Sequence, residues 1–118
     1  MSVDLILLPF DADIPHLSFS HTVLNCRQDY ELFDVIEAVE KEKGRRVPDD
    51  FASYVSRDDK YEETHYGLTI ETPYGLPVNE VEVERLLEIT APKRGINAAI
   101  WAYLAALPAR TKVALFWH

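Results

Sequence analysis

The sequence predicts one α+β domain over residues 1–118: a four-stranded, mainly antiparallel sheet with about three helices packed on it. Three observations carry this expectation. Residues 3–8 and 113–117 are runs of consecutive apolar side chains, the pattern of strands covered on both faces. The first and last strands are therefore expected at the centre of the sheet. Residues 16–24 and 65–71 alternate with period two, as half-buried strands do. Residues 29–43 and 96–107 switch to helical spacing.

Each element has its own local signal. The stretch Asp11-Ala12-Asp13-Ile14-Pro15 reads as a turn, because proline biases the preceding residue toward extended backbone. In 16–24, Leu17, Phe19, His21 and Val23 share one face, and this strand is expected to form a hairpin with the first. Over 29–43, Leu32, Val35, Ile36 and Val39 mark the buried face of a helix, with Asp29 as its N-cap and Gly44 as its stop. A short helical turn is expected from Pro48, since Asp49 and Asp50 suit a helix N-terminus. Residues 57–63 are nearly all charged and are expected in a solvated loop. In 65–71, Tyr66, Leu68 and Ile70 share a face, and 72–77 is rich in turn formers. Asn79 and Glu82 have capping-box spacing ahead of Val83, Leu86 and Leu87, which predicts a short amphipathic helix there. The strongest helical stripe is Ile96, Ile100, Tyr103, Leu104 and Leu107, ended by Pro108.

Composition bounds the function. At 118 residues, with 47% hydrophobic and 27% charged side chains, the chain is expected to be one globular domain. A lone cysteine, Cys26, excludes an intrachain disulfide and a cysteine-based zinc site. The N-terminus lacks the basic region of a signal peptide, and the apolar run 5–8 ends at Pro9, far short of a membrane span. A soluble, cytoplasmic protein with no cofactor is the expectation. The formal net charge of −8 opposes non-specific binding to a phosphate backbone, so no direct nucleic-acid partner is expected.

That charge is unevenly placed. Residues 1–57 carry 6 basic and 11 acidic side chains, 58–84 carry 1 and 8, and 85–118 carry 5 and 1. Acid is concentrated in the middle, and the last third is basic.

Several stretches carry a resemblance. They are Val3-Asp4-Leu5-Ile6-Leu7-Leu8-Pro9-Phe10, Phe19-Ser20-His21-Thr22-Val23-Leu24, Thr72-Pro73-Tyr74-Gly75, Ala99-Ile100-Trp101-Ala102-Tyr103-Leu104 and Thr111-Lys112-Val113-Ala114-Leu115-Phe116-Trp117-His118. Together they resemble a family of small accessory proteins encoded by tailed phages and prophages. The resemblance spans essentially the whole chain. It implies an accessory protein acting inside an infected or lysogenic bacterium, and it carries no catalytic assignment.

The candidate chemistry is sparse. His21 sits among apolar neighbours and reads as a sheet-face histidine. Its five-residue separation from His16 puts the two on opposite faces of an uninterrupted strand. Asp11 and Asp13 follow the first strand, where paired carboxylates can hold a divalent cation, but no phosphate loop follows them. Cys26 and His21 are a conceivable nucleophile–base pair without a third, orienting group. Ser18, Ser20 and Ser53 lack a nucleophile-elbow context. Lys93-Arg94 lies beside the N-terminus of the Ala-rich helix, where an anion can bind, although pairing with carboxylates is the favoured reading for it and for Arg45-Arg46.

The acidic stretch carries the leading expectation. Asp58, Asp59, Glu62, Glu63, Glu80, Glu82 and Glu84 fall within 27 residues, interleaved with Tyr61, Tyr66 and Tyr74. Acid steers association with a basic surface, and tyrosine is enriched at binding hot spots. The expected function is non-catalytic binding of a host or phage protein, such as a basic nucleic-acid-binding protein, with the acidic face acting as an inhibitor or nucleic-acid charge mimic. The alternative is a small metal-dependent hydrolase or nuclease with ligands among Asp11, Asp13, His16, His21 and His65. An exposed Trp101 is a third expectation, as the seed of a homodimer.

Overall fold

The structure is a computed structural model that describes residues 4–11, 23–47 and 77–118. In chain order the elements are β1 (Leu5–Asp11), β2 (Leu24–Cys26), α1 (Tyr30–Lys43), β3 (Arg45–Arg46), β4 (Asn79–Glu82), α2 (Val83–Leu87), α3 (Ile96–Ala105) and β5 (Thr111–Trp117). The strands form one sheet in the order β2-β1-β5-β4-β3, and every neighbouring pair is antiparallel. Among the described residues the fold is α+β with five strands where four were expected: the short β3 and β4 were not expected as strands, and the expected 65–71 strand lies outside the described residues. β1 and β5 lie inside the sheet, as their apolar runs require.

These two strands pair along their full lengths, from Leu5↔Trp117 to Asp11↔Thr111. The ladder continues past β1 and β5 with a reciprocal backbone pair, Asp4 N–H to His118 O at 2.8 Å and His118 N–H to Asp4 O at 2.9 Å. That pair sets the phase of the ladder. Even-numbered residues of β1 aim their N–H groups at β5, and odd-numbered ones aim away. Pro9 is odd, and β2 pairs only with Leu5, Ile6 and Leu7. Proline therefore interrupts no ladder bond to β5, which is why an interior strand tolerates it.

Alternation sends the two sides of the sheet into two apolar clusters. Leu5, Leu7, Cys26, Val81, Val113 and Leu115 face the helices, meeting Leu32, Phe33 and Ile36 of α1, Val83 and Leu86 of α2, and Ile100, Trp101 and Leu104 of α3. Each fully buried leucine, such as Leu7, Leu32 or Leu104, contributes about 1.5–3 kcal/mol of transfer free energy. Ile6, Leu8, Phe10, Val47, Val78, Ala114 and Phe116 form the second cluster on the other side.

α1 begins and ends where its sequence signals say. The Asp29 side chain accepts from Leu32 N–H at 3.2 Å, satisfying one of the free donors of the first turn. Gly44 closes the last turn by donating to Glu40 O at 2.8 Å. Its φ of −72° is open to any residue, so the need for glycine is steric: a Cβ there would overlap the carbonyl oxygen of Glu40. Gly95, before α3, is required for the opposite reason. It has open space around it and a φ of +58° that side chains with a Cβ rarely adopt.

Three expectations are corrected. Asn79 and Glu82 do not form a capping box. They belong to β4, where Val81 points into the core, and Glu82 makes no side-chain cap bond to α2. The buried stripe of α3 is Asn97, Ile100, Trp101 and Leu104, whereas Ile96 and Tyr103 are exposed. Trp101 is therefore in the core, with its indole N–H donated to Leu86 O at 2.8 Å, and it is no exposed seed of a homodimer. Leu24 of the predicted 16–24 strand opens β2. The rest of that strand, apart from Val23, lies outside the described residues, as do the turn at Pro48 and the 65–71 strand. No helix among the described residues is long and apolar enough to cross a membrane.

Candidate partner-binding surface

Of the ten acidic and tyrosine residues proposed to contact a partner, Glu80, Glu82 and Glu84 are described. Asp58, Asp59, Tyr61, Glu62, Glu63, Tyr66 and Tyr74 lie outside the described residues. Glu82 and Glu84 are exposed at the junction of β4 and α2, and no ion pair of theirs occurs among the described residues. Glu80 is half-buried. Its register partner on β3 is Arg45, and Lys112 on β5 is one step away, opposite Glu82. Burial raises the Glu80 carboxyl above its ordinary range, an effect that Lys112 and Arg45 partly offset. The acidic strand thus lies between two strands that supply its countercharges.

The other cations are also drawn inward or into local pairs. Arg94 reaches Asp29 at 3.2 Å and Glu31 at 3.6 Å. Lys93 donates to Ile89 O and lies over the Trp101 ring, 5.8 Å from its centroid. Lys93-Arg94 is therefore occupied at the start of α3 rather than presented to an anion. Lys41 pairs with Glu37, Lys43 with Glu42 and Arg85 with Glu88, all at 3.5–4.0 Å on the surface. Such exposed pairs contribute roughly 0–1 kcal/mol each.

By count the described framework is nearly neutral, with 12 acidic and 10 basic side chains. The remaining stretches hold 8 acidic and 2 basic ones, and residues 48–76 alone account for 7 of these acids and both bases. Residues 48–76 join β3 to β4. They leave and return at one place, because Val47 N–H donates to Val78 O at 3.1 Å and Arg46 is paired with Asn79.

A shallow groove of about 270 Å³ runs between α1 and α2. Val35, Val39 and Ile89 line it, with Glu42, Lys43, Arg85 and Glu88 at its rim. Its charged residues pair along each wall, Lys43 with Glu42 and Arg85 with Glu88, so the groove carries no net charge.

The catalytic candidates gain little. Cys26 is buried in the helix-side core, and burial pushes its thiol up to about 12, so it is protonated and unreactive at neutral pH. Asp11 ends β1 opposite Thr111. Asp13, His16, His21 and His65 lie outside the described residues, and among those described no group of three His, Cys, Asp or Glu side chains is placed to hold a metal ion.

Two positioning residues escaped the sequence reading. Asn97 is fully buried and makes a reciprocal pair with the backbone of Arg27: Arg27 N–H to Oδ1 at 2.7 Å and Nδ2 to Arg27 O at 2.8 Å. Glu40 accepts from Trp117 Nε1 at 2.7 Å and Asn79 Nδ2 at 2.8 Å, joining α1 to β5 and β4. The sequence signals are an uncharged polar residue in an apolar helix and, for Glu40, a position one turn after Ile36. No family model matches the chain, and neither a curated protein nor a solved structure is significantly similar to it.

Proposed function

We propose that this chain is a non-catalytic binding protein that engages a basic surface through the acidic, tyrosine-containing stretch between β3 and β4, together with Glu80, Glu82 and Glu84. The observation that carries the reading is the division of charge. The described framework is nearly balanced, with 12 acidic and 10 basic side chains, whereas 48–76 holds 7 acidic against 2 basic ones. The residues flanking this stretch are paired at one edge of the sheet, and connections held by such scaffolds commonly carry recognition. A concentrated acidic surface raises the association rate with a cationic partner and competes with nucleic acid for it. In the phage setting that the resemblance implies, the partner is a host or phage protein that itself binds nucleic acid.

The test is affinity recovery from lysate of an infected host, using the wild-type chain and the combined Asp58→Asn, Asp59→Asn, Glu62→Gln, Glu63→Gln variant as baits. A basic protein retained by the wild type at low salt and at least about tenfold less by the variant supports the proposal. Equal recovery by both baits rejects it.

A further inference from the structure

We draw no further inference here: the strongest candidate, the uncharged outer face of α3 that exposes Ile96 and Tyr103, carries nothing, because no feature of the structure shows what covers it.

Discussion

Trp117, at the end of β5, donates its indole N–H to Glu40 of α1 across 2.7 Å, and its ring meets Phe33 of the same helix edge-on at 5.5 Å between centroids. One carboxylate and one aromatic pair therefore fix the helix on the sheet. Asn79 of β4 occupies the second carboxylate oxygen. Replacing Glu40 by Ala leaves an indole N–H and an amide without their acceptor, which costs about 1–3 kcal/mol. Chemical denaturation should show the midpoint falling with the m-value unchanged. Glu40→Gln keeps one acceptor and should recover part of the loss.

Asn97 holds the chain between β2 and α1 to the start of α3 through both backbone groups of Arg27. Asn97→Leu is close in size and suits the apolar helix, yet it removes both partners of that backbone. The expected cost is about 2–4 kcal/mol, the desolvation penalty of two unpaired groups. Thermal unfolding of this variant checks the figure. An Asn97→Leu variant as stable as the wild type would mean that the Arg27 backbone is satisfied another way.

Glu80 makes stability depend on pH with a sign that can be worked out. Its carboxyl titrates above the ordinary value of 4.5 in the folded chain, chiefly because it is half-buried. The folded state therefore holds the proton to higher pH than the unfolded state. The contribution from neutral Glu80 is complete below 4.5 and is lost as pH rises through the folded-state value. Glu80→Gln should flatten this segment of the stability–pH curve and slightly raise the melting temperature at neutral pH. Melting curves of both proteins from about pH 4 to about pH 7 measure the difference.

Cys26, with its thiol pushed up to about 12 by burial, should react with iodoacetamide only as fast as the chain opens. Labelling should be slow in native buffer and rapid in denaturant. Fast native labelling would put the thiol at the surface.

The legible parts of this fold were those where one physical signal dominated. The unbroken apolar runs of β1 and β5 placed both inside the sheet, and Asp29 with Gly44 bounded α1. Two signals competed at Asn79–Glu82. The capping-box spacing favoured a helix, but the alternation Glu80, Val81, Glu82, Val83 is that of a strand, and pairing with both β3 and β5 decided the outcome. In α3 every residue from Ile96 to Ala105 is uncharged, so hydrophobicity could not show which side faces the core. The buried side was set by Asn97 and Trp101, whose polar atoms needed the Arg27 backbone and Leu86 O. The charge asymmetry along the sequence was legible at once. Its consequence was not, because it depends on β4 lying between Arg45 and Lys112.

The central claim is that the acidic residues of 48–76 carry the binding proposed for this chain. Its most direct measurement is the slope of log Kd against log salt for the recovered partner, taken by titration calorimetry with the wild-type chain and with the Asp58→Asn, Asp59→Asn, Glu62→Gln, Glu63→Gln variant. The account predicts affinity that falls steeply with salt for the wild type and a weaker, flatter dependence for the variant. Identical slopes and affinities for the two proteins would contradict it.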